Sequence, residues 1–208
     1  MASPQFGAII LAAGLSTRMP SFKPLLQIEG KPLIEYAITL FRSAGVEQIV
    51  TVIGHRAEQL IPIISTTSSD SVFNSKYQDG MFSSVQKGIA SRNPAWDAFF
   101  VLPVDIPLVR PSTIQTLAQA FRNKPSASVC YPCFQARRGH PPLLNSRLAD
   151  GILAGQGQDS LRAVLRNHET QALDVPVDDP FIHMDADTRQ DLEALCERHE
   201  KAKAADDS

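Results

Sequence analysis

An unbroken apolar run, Ala8 to Ala13, ending at Gly14, constrains this chain more than any other stretch. It has the length and makeup of a buried strand. Past Gly14 a polar loop carries Ser16, Thr17 and Arg18, and Lys23 stands five residues beyond Arg18. Small residues at such a turn let the backbone approach phosphate oxygens and donate to them through N–H groups. Arg18 offers oxygens a planar fork, and Lys23 a compact point charge. Strand, glycine turn and two cations together mark a candidate polyanion site. Neither G-x-x-x-x-G-K-[ST] nor G-x-G-x-x-G occurs, which argues against P-loop NTPases and dinucleotide-dependent dehydrogenases.

Strand and helix patterns alternate along the chain, the signature of an α/β fold with a mainly parallel sheet. The 208 residues fit one domain, and 43% hydrophobic content is ample for its core. A helix with Leu33, Ile34, Tyr36, Ala37, Ile38, Leu40, Phe41 and Ala44 on its apolar face follows Pro32, and a strand spans Val46 to Ile53. Ala57 to Ile64 reads as a short helix, Ser65 to Ser71 as a surface loop and Val72 to Asn74 as a strand. A turn at Asp79-Gly80 leads into a helix from about Ser83, where Ser83 or Ser84 would serve as an ordinary cap. Pro111 opens another helix, and Ala127 to Cys133 is a strand followed by a loop with Arg137, Arg138 and Gly139. A strand from the H-P-P-L-L segment, short helices in Asp150–Asn167 and an edge-like strand Ala172–Val175 come next. Phe181 to Asp187 reads as a last short strand, Thr188 and Asp191 as a capping box for the final helix, and 200–208 as a frayed tail.

Asp105 is the most informative acid. It follows the apolar strand Ala98–Leu102, so it sits beyond the carboxyl end of a central strand, where open α/β sheets bind ligands. A carboxylate there suits Mg²⁺, which takes oxygen ligands and keeps phosphate oxygens and waters. An aspartate capping a turn would occupy the same place.

With a net charge of −2 and no run of Lys and Arg interleaved with aromatics, nucleic acid is not an expected partner. No stretch approaches the roughly 20 apolar residues of a membrane span. The first residues lack the charged region of a signal peptide. Three cysteines, Cys130, Cys133 and Cys196, suit a reducing compartment, and a cytoplasmic location is the expectation. C-Y-P-C lies on a strand pattern rather than at a helix start, so its cysteines read as small packing residues, not a redox or zinc pair.

The first loop resembles L-A-A-G-x-S-x-R-M-G-x-x-K, a signature near the start of nucleotidyltransferases. Leu11, Ala12, Ala13, Gly14, Ser16, Arg18, Met19 and Lys23 match it, and Pro20 replaces the glycine. The chain is most similar to the molybdenum cofactor (molybdopterin) nucleotidylyltransferases, in the cytidylyltransferase branch of the MobA-like NTP transferases. The resemblance runs from about Ala8 to about Leu195. It implies a single Rossmann-like three-layer α/β/α sandwich over 1–208, of the nucleotide-diphospho-sugar transferase type. The nucleotide-binding half would span about 5–110 and the acceptor half about 111–195.

It further implies nucleotide contacts at Leu11, Ala12, Ala13, Gly14, Arg18 and Lys23. Gly80 and Ser84 join them through a G-M-x-x-S-[LV]-x-x-G stretch that also includes Met81, Val85 and Gly88. Arg18, Lys23 and Asp105 are the implied catalytic set, with Asp105 and Asp187 holding Mg²⁺ or Mn²⁺. Asp187 comes from M-D-A-D-T-R-Q-D-L, where Arg189 replaces a usual proline; both it and Asp185 would also suit a helix start. His140, in the G-H-P segment, and Arg162 are the implied acceptor residues. Around Arg162, Gln158 and Ser160 depart from the family's G-D-x-G-x-R. The implied reaction joins a nucleoside monophosphate from CTP to the terminal phosphate of molybdopterin, releasing pyrophosphate, with a molybdoenzyme or its chaperone as a further partner. Two alternatives stay open: transfer to a sugar phosphate or other small phosphate, and a non-catalytic cofactor carrier or chaperone.

Overall fold

The run at Ala8 lies within β1 (Phe6–Ala12), at the middle of the sheet. Side chains alternate along a strand, so Ala8, Ile10 and Ala12 enter the core on one face and Ile9, Leu11 and Ala13 that on the other. A strand covered on both faces has no need of polar alternation, which is why the run is continuous. The computed structural model describes residues 4–15, 21–67, 69–156 and 160–206.

Beyond β1, a 3₁₀ turn (Lys23–Leu25) leads into a small antiparallel hairpin, β2 (Gln27–Ile28) and β3 (Lys31–Pro32). Then come α1 (Leu33–Ser43), β4 (Gln48–Ile53), α2 (Ala57–Thr66), β5 (Asp70–Phe73), α3 (Met81–Ala90) and β6 (Ala98–Pro103). The second half holds α4 (Pro111–Asn123), β7 (Val129–Phe134), β8 (Arg137–Arg138), β9 (Leu143–Asn145), α5 (Ala149–Ala154), α6 (Leu161–Arg166), β10 (Ala172–Pro176) and α7 (Arg189–Asp206).

The main sheet runs β10-β7-β9-β6-β1-β4-β5, with β8 paired to β7. β1 is parallel to both β4 and β6, β4 to β5 and β10 to β7, while β9 is antiparallel to its neighbours β6 and β7. Apolar faces of α1, α2 and α4, with Leu195 of α7, cover one side, and those of α3, α5 and α6 cover the other. The result is a mainly parallel, three-layer α/β/α fold. Phe41, Phe99 and Phe100 are among its largest fully buried side chains. Burying each contributes about 1.5–3 kcal/mol.

Several local expectations need correction. Ser65 and Thr66 complete α2 rather than opening a loop, because their hydroxyls donate to the carbonyls of Pro62 and Ile63 at the helix end. Arg137 and Arg138 form β8, not a loop. Gln135 and Ala136 turn the chain at positive φ, and Arg138 stacks over Tyr131 while pairing with Glu169 and Asp174.

Phe181–Asp187 is not a strand. Residues Pro180–His183 form a 3₁₀ turn capped by Asp179, and among the described residues the segment has no ladder partner. The expected frayed tail is helical through Asp206, and Lys203 pairs with Glu29 in the β2–β3 turn. Thr188 and Asp191 do form the reciprocal cap that opens α7.

Cys130 is buried and Cys133 partly so, and a separation of three places them on opposite faces of β7. Burial pushes the Cys130 thiol up to about 11, so it is inert packing. No helix among the described residues is long and apolar enough to cross a membrane.

Candidate functional site

The carboxyl ends of β1 and β6 open into a cleft of about 390 Å³. Leu11, Ala12, Ala13, Gly14 and Leu15 form one wall, and Tyr77, Gln78, Gly80, Met81 and Ser84 another. Pro103, Val104 and Asp105 lie beneath, with Lys23, Pro24 and Asp187 at the side. Parallel neighbours put these ends together. Leu11 pairs with Pro103 in register, and Val104 N–H donates to the Leu11 carbonyl at 3.1 Å.

Asp105 sits in the turn after β6, closed by Ile106 N–H on the Pro103 carbonyl at 3.2 Å. Among the described residues the Asp105 carboxylate accepts nothing from this turn's backbone, and it pairs with Lys23 Nζ, 3.2 Å from Oδ2. Turn capping therefore does not account for the aspartate. Lys23 also donates to Asp187 Oδ1, so one ammonium bridges two carboxylates distant in the chain. Burial acts to lower the Lys23 pKa, but the hydrogen bond to Asp187 and the charge of Asp105 outweigh it, and the net shift is upward. The lysine is thus held firmly charged. Asp185 does not line the cleft. Desolvation first, then repulsion from Asp187 and Asp105, raises its pKa.

Asp187 reaches the cleft on a segment pinned at several points. Asp179, almost fully buried, accepts from the backbone N–H of Arg110 and of Phe181 and from the Thr113 hydroxyl. This carboxylate ties the start of α4 to the start of the segment. Farther along, His140 N–H donates to the Ile182 carbonyl, and Ala186 N–H donates to the Asp105 carbonyl at 2.8 Å. The crossing at Gly139 leaves no room for a side chain, since a Cβ there would lie 2.5 Å from the Ile182 carbonyl oxygen.

The helix facing the cleft starts earlier than expected. α3 begins at Met81, and Gly80 precedes it at φ 97° and ψ 175°, a conformation essentially confined to glycine. Neither serine caps it by accepting a backbone N–H. The Ser83 hydroxyl donates to the Gly80 and Lys76 carbonyls, and Ser84 Oγ accepts from Asn74 Nδ2 at 3.0 Å. Neither serine thus occupies the first backbone N–H groups of this helix.

Leu11, Ala12, Ala13, Gly14, Lys23, Gly80, Ser84, Asp105 and Asp187 all line this one cleft. Arg18 lies outside the described residues, as do Ser16, Thr17, Met19 and Pro20 of its loop and Gly157 and Gln158 of the later motif. His140 and Arg162 are not lining residues. Arg162 stands exposed on α6. His140 is partly buried; burial lowers its pKa against the pull of the Asp105 carboxylate, and Nδ1 has no hydrogen-bond partner among the described residues. Tyr77 and Gln78 also line the cleft, and no motif match names them. Their position in Y-Q-D-G-M, just before a helix start, was the available signal.

Among the described residues, no group of three or more His, Cys, Asp or Glu gathers as a metal cage. The Asp105–Asp187 pair still suits Mg²⁺ or Mn²⁺, since such ions are bound by one or two carboxylates together with substrate phosphates and waters. The Lys23 ammonium between the two carboxylates shows that the pair accommodates a cation.

The chain is similar to several known proteins. A bifunctional protein GlmU from Staphylococcus epidermidis is 38% identical over 117 residues, covering 54% of this chain and 25% of that protein. The chain thus spans about a quarter of the length of that curated relative. A nucleotidyl transferase from Methanothermobacter thermautotroptrophicus superposes with a TM-score of 0.81 at 22% identity, covering 95% of this chain and 99% of the other. Molybdopterin-guanine dinucleotide biosynthesis protein A from Archaeoglobus fulgidus gives 0.71 at 18% identity, covering 94% and 99%. At such identities the two structures speak to the fold. The model of the MobA-like NTP transferase domain matches residues 8–175, from β1 through the last strand of the sheet. By that match, and with the nucleotidyltransferase fold around it, the chain belongs to the MobA-like NTP transferase family.

Proposed function

We propose that this nucleotidyltransferase joins the nucleoside monophosphate of CTP to the terminal phosphate of molybdopterin and releases pyrophosphate. The observation that carries the reading is the meeting of the Leu11–Gly14 turn, Lys23, Asp105 and Asp187 in one cleft at the carboxyl ends of β1 and β6. A nucleoside triphosphate laid there faces a helix start at Met81 and backbone N–H groups of the first turn. Lys23 brings positive charge to the leaving pyrophosphate, and Arg18 belongs to the same set by its place in the loop.

The Asp105 and Asp187 carboxylates would hold a divalent cation, which supplies charge neutralisation where two polyanions must meet. The acceptor phosphate oxygen attacks the α-phosphorus, the bond to the bridging oxygen of pyrophosphate breaks, and no covalent enzyme intermediate is needed. Catalysis of this kind rests on positioning and electrostatics. The G-M-x-x-S and G-H-P segments support molybdopterin as acceptor, and L-A-A-G, where guanylyl-transferring relatives read L-A-G-G, supports CTP.

A second reading is transfer to a sugar phosphate or another small phosphate. It draws on the placement of His140 and Arg162 off the cleft lining and on Ser160 and Gln158, which depart from the family pattern. Pyrophosphate release, measured with each of four triphosphates against molybdopterin and a panel of sugar 1-phosphates, separates the two. Release with CTP and molybdopterin is expected. Release only with a sugar 1-phosphate would establish the second reading. Tight binding of the finished dinucleotide with no release under any pair would instead make the protein a carrier.

A further inference from the structure

Lys23 occupies the place between Asp105 and Asp187 where the proposed function seats a divalent cation. Its Nζ is 3.2 Å from Asp105 Oδ2 and also donates to Asp187 Oδ1, and its side chain is only 12% exposed. A compact ammonium between two carboxylates and a dication between the same oxygens each offset the repulsion of two nearby acids, the dication more fully. They are also mutually exclusive at close range, because the ammonium and the dication repel each other. Lysine is suited to such a role, being a point charge on a flexible four-carbon stem. The 3₁₀ turn that carries it, Lys23–Leu25, borders the same cleft as the Leu11–Gly14 turn.

We propose that Lys23 and the divalent cation are alternative occupants of the Asp105–Asp187 pair, so that arrival of the metal releases Lys23 toward the triphosphate. This rests on the nucleotidyltransferase reading and adds an order to it. Without metal, Lys23 keeps the two carboxylates paired and is itself withheld from phosphate. With metal, the lysine turns into the cleft as a donor for the nucleotide. Metal and nucleotide then favour each other's binding, and by linkage the factor is the same in both directions.

The test uses the whole protein with Mn²⁺ alone. Mn²⁺ binding is followed by the electron paramagnetic resonance of the free ion. In parallel, a pulse of an acetylating reagent is applied across the Mn²⁺ titration, and Lys23 modification is read by mass spectrometry against exposed Lys124. Exchange is expected to raise Lys23 acetylation by about 10-fold, the scale of losing a charge-assisted hydrogen bond, with a midpoint matching the Mn²⁺ dissociation constant. Lys23→Met, which removes the competing occupant, is expected to bind Mn²⁺ about 10-fold more tightly.

Mn²⁺ binding to the wild-type protein with flat or falling Lys23 acetylation would overturn the exchange and leave the metal reading intact. Mn²⁺ binding equally weak in wild type and Asp105→Asn would overturn the metal reading and the exchange with it. Since the acetylation arm needs no substitution, a Lys23→Met protein that fails to fold does not spare the proposal.

Discussion

Asp105→Asn is expected to leave the protein folded while turnover falls by about 100-fold or more, the scale for removing one preorganised group that acts on developing charge. The substitution keeps the size of the side chain and a carbonyl oxygen. What it removes is one of the two negative charges that converge on Lys23. The structural cost should be small, because the Asp105 carboxylate does not cap its own turn, and the turn is closed by backbone instead. The residue's backbone carbonyl, which accepts from Ala186 N–H, is untouched. Thermal denaturation and pyrophosphate release, run on the same preparation, check both halves. Stability and turnover falling together would give Asp105 a structural role. Near-normal, metal-dependent turnover in a folded variant would remove it from the mechanism.

The largest effect on stability is expected at Asp179, which does not line the cleft but holds the segment that carries Asp187. Asp179→Ala leaves three donors, Arg110 N–H, Phe181 N–H and the Thr113 hydroxyl, without their acceptor in a buried place. At about 1–3 kcal/mol for each buried group left unpaired, less what relaxation and entering water recover, the cost is about 3–5 kcal/mol. α4 also loses the negative charge at its N-terminus. Asp179→Asn, which keeps one good acceptor oxygen, is expected to fall between wild type and Ala. Urea denaturation monitored by circular dichroism measures both. A loss below about 1 kcal/mol for the alanine variant would mean that the 179–187 segment is held by other contacts.

The fold class was legible because its central strands are continuous apolar runs. β1 and β6 are buried on both faces, so length and makeup alone identify them. Local pattern carries less where pairing partners are remote. Nothing in Leu143–Asn145 announces that β9 runs antiparallel between β6 and β7, since that depends on strands more distant in the chain. Phe181–Asp187 has strand-like composition, but Asp179 draws its start into a 3₁₀ turn, and a side-chain bond of that kind leaves little trace in periodicity. At the C-terminus composition misleads in the other direction. The polar, charged stretch from Lys201 suggests fraying, yet it stays helical, and Lys203 reaches Glu29 in a turn far away in the chain.

For the cleft, motif spacing brought out the residues that belong to the first strand, the α3 start and the β6 turn. The pairing of Asp187 rather than Asp185 with Lys23 needed the three-dimensional path of the chain. So did the position of His140 and Arg162 away from the lining, because both depend on how β7, β8 and α6 turn relative to the sheet edge.

The most direct measurement is a crystal of the protein grown with CTP and Mn²⁺, with anomalous scattering used to locate the metal. The triphosphate is expected against the Leu11–Gly14 turn and the Met81 helix start, with an anomalous peak within coordination distance of both Asp105 and Asp187. Nucleotide bound outside this cleft, or Mn²⁺ on CTP with neither carboxylate near it, would contradict the account.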